Sequence, residues 1–239
     1  MKNNILVFIP TYNEKNNITK LVDKIFEINN FKCDVLVIDD GSPDDTYNIA
    51  KEKYKSFKNV VIKNRYKKKG IGSAHHEAIL YAKEKGYEIL LTMDSDFTHD
   101  PKDIPTFLKF KNEFDIVVGN RFVLKNSLED WDFHRKFMTI GGHLLTKIFL
   151  GIPYDATGFF RLYKLDNISY NELNKIKSIN YDFSFESLSI FHYSKYKIKE
   201  VPIILPKRTY GNSKMTLKHM INSIIKIFYL SVKLRLLKK

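Results

Sequence analysis

The feature that most constrains this chain is a rhythm: short, wholly apolar runs alternate with amphipathic stretches through its first two-thirds. Ile5 to Ile9 reads ILVFI, Val35 to Ile38 reads VLVI and Ile89 to Met93 reads ILLTM, with shorter runs at Val60–Ile62 and Ile116–Val118. Apolar runs of this length without polar alternation are characteristic of strands covered on both faces. Between them, Ile18, Leu21, Val22, Ile25 and Phe26 recur at helical spacing. A further helix is expected from about Gly70 to Lys85, ended by Gly86. Ser42, followed by Pro43, Asp44 and Asp45, reads as the cap of an intervening helix. The alternation predicts an α/β fold: a Rossmann-like, mostly parallel sheet with helices on both faces and right-handed crossovers. In such sheets ligands gather beyond the carboxyl ends of the strands.

After Gly119 the rhythm weakens. Helical patterns occur near Arg135–Leu150, Asp166–Asn174 and Phe183–Lys195, with a strand near Ile198–Ile203. With no internal repeat or low-complexity linker, 239 residues suit one globular domain, expected over residues 1–215, followed by a basic amphipathic helix over 216–239. In that helix Lys218, Asn222, Lys226 and Lys233 lie close to one stripe and most of the rest is apolar. Its uncharged runs, His219–Ile225 and Ile227–Val232, fall far short of the ~18 residues a membrane span needs. It can lie in a membrane interface or pack on the protein's own core, and the sequence leaves both open.

Charge sharpens the choice of partners. The net charge is +13, and from Lys197 onward 11 basic residues face the single acid Glu200. Such a basic end suits an anionic partner: lipid headgroups, phosphorylated ligands or nucleic acid. Nucleic acid is disfavoured, because no recognised binding motif accompanies the charge and the lysines alternate with Ile, Leu and Val rather than stacking aromatics. One cysteine, Cys33, makes no internal disulfide, and the N-terminus lacks a secretory pattern, so a reducing, cytoplasmic setting is expected.

The unusual residues sit where strands should end. Strand one runs into Pro10-Thr11-Tyr12-Asn13-Glu14, strand two into Asp39-Asp40-Gly41-Ser42 and strand four into Asp94-Ser95-Asp96. Any one of these could be turn chemistry. Together they deliver an aromatic ring and several carboxylates to one sheet edge. Two carboxylates two residues apart at such a turn can hold one hard cation, Mg2+ or Mn2+, able to bridge a diphosphate and neutralise its charge as it leaves. His75 and His76 are adjacent, so on a helix they point apart and read as ordinary helix residues.

These segments resemble the GT-A fold of inverting family-2 glycosyltransferases. The resemblance extends in order through Lys68 and Gly70-Ile71-Gly72-Ser73-Ala74, Gly119-Asn120-Arg121-Phe122, Trp131-Asp132, Arg135, the Asp155–Tyr163 segment DATGFFRLY, and Val201-Pro202-Ile203. It ends with Arg208-Thr209-Tyr210-Gly211-Asn212-Ser213-Lys214, so about residues 4–215 resemble the catalytic subunits of dolichyl- and polyprenyl-phosphate mannose synthases. The resemblance implies that Pro10, Tyr12, Glu14, Ile38 and Asp40 hold the donor's base and ribose. It implies that Asp94 and Asp96, with Ser95 between them, hold metal and diphosphate. Thr98 stands where the family often carries Gln, Ser or another oxygen ligand, and would be a weaker third one. Arg121, Arg208 and Lys214 would contact donor or lipid phosphates, and Arg135, with Arg121, the acceptor phosphate. Asp94, Asp96, Arg121 and Arg208 would carry catalysis. Phe159 departs from the pattern, replacing a small residue, and His143 replaces a common Asn; both lie toward the acceptor's entry.

The implied reaction transfers a hexose, mannose from GDP-mannose being the first expectation, onto a polyprenyl or dolichyl phosphate in one inverting displacement. A lipid phosphate is largely dianionic at neutral pH and needs no general base, so catalysis is positioning plus charge stabilisation. The enzyme would work peripherally at the cytoplasmic face of a membrane, with a small membrane subunit as a possible helper. The competing readings are a UDP-sugar donor, a glycan hydroxyl acceptor, or a tethered scaffold with a dead domain. Both aspartates are present, which weighs against the last.

Overall fold

The computed structural model describes residues 3–28, 31–206, 214 and 216–236. The elements in chain order are β1 (Ile5–Thr11), α1 (Ile18–Phe26), β2 (Asp34–Asp39), α2 (Thr46–Lys53), β3 (Val60–Asn64), α3 (Ile71–Glu84), β4 (Ile89–Thr92), α4 (Ile104–Leu108), β5 (Ile116–Asn120), α5 (Phe133–Leu150), β6 (Arg161–Lys164), α6 (Tyr170–Lys175), α7 (Phe183–Tyr193), β7 (Ile198–Pro202) and α8 (Leu217–Leu236). The strands form one seven-stranded sheet in the order β3-β2-β1-β4-β6-β5-β7. Every pairing is parallel except those of β6, which runs antiparallel to β4 and β5. The expected mostly parallel sheet is therefore present, with one reversed strand inserted.

β1 and β2 are buried along their whole length, as their unbroken apolar runs require. Alternate side chains serve opposite faces. Leu6, Phe8, Leu36, Ile38 and Leu90 pack with Ala74, Ala78, Phe183 and Leu188 from α3 and α7. Val7, Ile9, Val35, Val37 and Leu91 pack with Ile18, Leu21, Val22 and Phe107 from α1 and α4. Ile227, Leu230 and Leu234 of α8 join the first of these cores.

Two local expectations need correction, and two elements went unpredicted. Ser42 caps no helix: its hydroxyl is bonded to Asp39, and α2 begins only at Thr46, after Asp45 in the left-handed region at φ 71°. The helix expected over Asp166–Asn174 starts later, because Ser169 accepts the N–H of Glu172 and makes itself the cap. β6 shows no strand period because Arg161 and Tyr163, which look amphipathic, are themselves buried. α4, five residues entered through Pro105, is too short to show a helical period.

Candidate active site

A crevice opens at the carboxyl ends of β1, β2 and β4. Its wall includes Pro10, Thr11, Tyr12 and Glu14 after β1, Asp40 after β2, and Asp94, Ser95 and Asp96 after β4. Three strand ends separated by tens of residues thus meet because β2, β1 and β4 are neighbours in the sheet.

Each carboxylate is held by a different local device. Asp39 turns away from the crevice to bind the Thr11 hydroxyl (3.1 Å) and the Ser42 N–H (2.8 Å), which fixes the turn. Asp40 then faces the crevice and accepts the N–H groups of Lys69 (2.8 Å) and Gly70 (2.9 Å), with the Arg65 guanidinium 3.5 Å away. Gly70 sits at φ 98°, a conformation open mainly to glycine. Glu14 is buried and accepts Nζ of Lys214 (2.8 Å) and Nδ2 of Asn17 (2.6 Å). Burial nevertheless raises its pKa above the ordinary carboxylate value, outweighing the lysine.

The Asp94-Ser95-Asp96 turn is braced from within. His99 is buried, and its Nδ1 accepts the Asp94 N–H at 2.8 Å. Burial lowers the His99 pKa despite the nearby Asp94 and Asp96 carboxylates, which keeps Nδ1 an acceptor. Oδ1 of Asp96 accepts both the N–H (3.1 Å) and the hydroxyl (2.6 Å) of Thr98. Thr98 is buried and directs its hydroxyl proton at Asp96, so it acts as a brace for that carboxylate. Among the described residues no three His, Cys, Asp or Glu side chains cluster as a metal centre. Two carboxylates at a turn lining the crevice fit a hard cation that draws its remaining oxygens from water and a bound diphosphate.

The cationic residues divide. Lys214 reaches the crevice, where it bonds the Asn13 carbonyl (3.3 Å) and Glu14. Arg121 is buried and bound in a two-pronged bridge to Asp155, Nε and Nη2 each at 2.7 Å, with Nη2 also bonded to the Thr157 hydroxyl. Burial opposes its charge, but Asp155 more than compensates and holds its pKa above the usual arginine value. Arg135, in the first turn of α5, stacks its guanidinium 3.4 Å from the centre of the Trp131 ring. Neither arginine is part of the crevice wall around Asp94 and Asp96. Ile38 is sealed in the sheet core and also contributes nothing to the wall. Arg208 lies outside the described residues.

Several wall residues received no role from the sequence. Lys68 places its ammonium 4.0 Å from the centre of the Tyr12 ring, and Asn180, Tyr181 and His219 complete the far side. The last three come from the loop before α7 and the first turn of α8, with no local motif to mark them. Phe159 lines the crevice and stacks on buried His75 (4.4 Å). His143 stacks on Phe122 at 4.0 Å.

The profile of the family described as "Glycosyl transferase family 2" matches residues 6–170, which carry the β1, β2 and β4 strand ends. The chain belongs to that family. This transferase is 33% identical over 217 residues to the undecaprenyl-phosphate mannosyltransferase of Micrococcus luteus, covering 89% of this chain and 87% of the relative. It is 34% identical over 217 residues to the dolichol-phosphate mannosyltransferase of Pyrococcus furiosus, covering 88% of this chain but 59% of that longer protein. The polyprenol monophosphomannose synthase of Mycolicibacterium smegmatis is 28% identical, covering 93% and 84%. Among solved structures, glucosyl-3-phosphoglycerate synthase from Mycobacterium tuberculosis, in complex with Mn2+, UDP and glucosyl-3-phosphoglycerate, superposes with a TM-score of 0.68. At 18% identity, over 96% of this chain and 80% of that one, the likeness establishes the shared GT-A fold.

Proposed function

We propose that this transferase moves mannose from GDP-mannose to a polyprenyl phosphate presented at a membrane surface, with Mg2+ or Mn2+ at Asp94 and Asp96. The observation that carries the reading is the convergence of Tyr12, Asp40, Asp94 and Asp96 on one crevice wall. The three mannosyltransferase relatives support the sugar and the lipid phosphate. The bound cation would supply charge neutralisation at the departing diphosphate.

The residues do the rest. Tyr12 offers a ring face to the nucleoside, and Asp40 carboxyl oxygens fixed by the Lys69 and Gly70 N–H groups would receive its hydroxyl or ring N–H donors. Lys214 has three N–H donors, so it can keep Glu14 and still reach a phosphate. Arg121, preoriented by Asp155, and Arg135, steadied on Trp131, would hold the acceptor phosphate and offset repulsion between two anionic substrates. Arg208 would contact a phosphate of the donor or of the lipid acceptor. The acceptor oxygen, already ionised, attacks the anomeric carbon opposite the leaving diphosphate without a general base.

A membrane surface is supported by an unusual face. On α5, Phe133, Phe137, Ile140, Leu144 and Ile148 recur at spacings of three and four and are all exposed. On α8, Leu217, Ile221, Ile225, Phe228 and Val232 do the same. The two helices pack together, with the Phe149 and Phe228 rings 4.6 Å apart, which brings the two exposed stripes onto neighbouring helices. Lys147, Lys218 and Lys233 are exposed beside them, in the arrangement that suits an anionic bilayer interface. No helix among the described residues is long and apolar enough to cross a membrane.

The deciding experiment incubates the purified chain with Mn2+, polyprenyl phosphate in anionic vesicles and radiolabelled GDP-mannose, UDP-glucose or UDP-N-acetylglucosamine. Label entering the lipid fraction from GDP-mannose alone supports the proposal. Label from a UDP-sugar alone, or none in lipid, overturns it.

A further inference from the structure

Outside the crevice, one buried carboxylate has no part in the chemistry proposed above. Glu186 of α7 is 1% exposed. Its Oε2 accepts the N–H groups of Lys177 (3.1 Å) and Ser178 (2.6 Å), while its Oε1 lies 3.1 Å from Nζ of Lys226 on α8. Apolar side chains filling the same space would commonly be at least as stable, and fixing a register is the best-attested use of such a pair.

Here the register is the rotation of α8. His219 and Lys226 are seven residues apart and share the inward stripe with Ile227, Leu230 and Leu234. The outward stripe is the apolar face described above. The loop held by Glu186 runs on to Ile179, whose carbonyl accepts the Ser73 N–H (3.0 Å), and to Asn180 and Tyr181 in the crevice wall. A Cβ at Gly70 or Gly72 would strike the backbone of Ile179 and Asn180, so this loop and the start of α3 cannot shift independently. The Tyr181 and His219 rings lie 5.3 Å apart across the same wall.

We propose that Glu186 is a positioning residue. Through Lys226 it ties the rotation of α8, and hence the seating of its outer face on a bilayer, to the crevice wall formed by Asn180, Tyr181 and His219. The inference rests on the membrane reading of α5 and α8. Removing the charge pair would free α8, and His219 with it, to settle on a bilayer without bringing Asn180 and Tyr181 into place for the acceptor.

The test uses Glu186→Gln/Lys226→Met, which leaves no unpaired buried charge and retains an acceptor for the Ser178 N–H. KM is measured for a long polyprenyl phosphate in anionic vesicles and for a short, water-soluble prenyl phosphate, with vesicle co-sedimentation alongside. The expected result is a KM at least tenfold above native for the vesicle acceptor, and within twofold of native for the soluble one. Equal KM ratios for the two acceptors, whether both raised or both unchanged, overturn the coupling. Failure of the native chain itself to co-sediment overturns the membrane reading first, a separate and recognisable outcome.

Discussion

At the carboxyl ends of β1, β2 and β4, polar side chains are tied to other protein groups, whereas along α5 and α8 large apolar side chains stand out in solvent. Asp39, Asp40 and Asp96 all accept backbone N–H groups from turns next to them or across the crevice. Phe133 and Phe137, by contrast, are 77% and 70% exposed. The first region spends hydrogen bonds to fix geometry before any substrate arrives, which is what electrostatic preorganisation demands. The second leaves apolar area unburied, a cost that only an apolar partner recovers. One edge fixes polar geometry, and the other presents the apolar face that the proposed membrane reading puts against a bilayer.

Substitutions that separate the two regions test this contrast. Asp96→Ala should lower kcat/KM by at least about a thousandfold, roughly 4 kcal/mol of lost charge stabilisation, with the far-UV circular dichroism unchanged. Arg121→Ala leaves Asp155 buried without its guanidinium and should destabilise the fold by about 3–5 kcal/mol in urea titrations. The double variant Arg121→Ala/Asp155→Ala should regain most of that stability and none of the activity. Recovery of transfer in the double variant would show that Arg121 only neutralises Asp155.

On the proposed membrane face, Phe137→Glu or Ile225→Glu should weaken vesicle binding about tenfold or more, since burying one such side chain is worth about 1.5–3 kcal/mol. Donor-nucleotide affinity measured by calorimetry should stay the same. A matching loss of nucleotide affinity would erase the distinction between the regions.

The smallest effect expected is one of pH. Burial opposes ionisation of Asp155, but Arg121 brings its pKa below the ordinary carboxylate value. Its stabilising contribution is therefore complete above the unfolded value of about 3.9 and is lost as pH falls through the lower folded value. Native Tm should drop on acidification below about pH 4, and Asp155→Asn, already lower at neutral pH, should drop less.

Legibility in the sequence follows the same division. The strand ends were readable because buried parallel strands are apolar throughout and stop abruptly at Tyr12, Asp40 and Asp94. Ile38 is the last core side chain of β2, sealed from the crevice, and Asp39 and Asp40 follow it at the strand end. Asn180, Tyr181 and His219 were invisible, since only three-dimensional packing of the α6–α7 loop and α8 brings them to the crevice. The C-terminal helix offered two readings, interface or core, and the structure puts the stripes of α8 to different uses: Ile227, Leu230 and Leu234 pack inward while Ile221, Ile225 and Val232 face out. Lys226 reads in the sequence as one of a polar stripe and in the structure meets Glu186, a partner no spacing rule identifies.

The central claim is that the two aspartates after β4 act through a cation on the donor's diphosphate. Calorimetric titration of GDP into the native chain and into Asp96→Ala, each with and without Mn2+, tests it most directly. Binding should be at least tenfold tighter with Mn2+ for the native chain, with no such gain for the variant. Equal GDP affinity with and without Mn2+ in the native chain would contradict it.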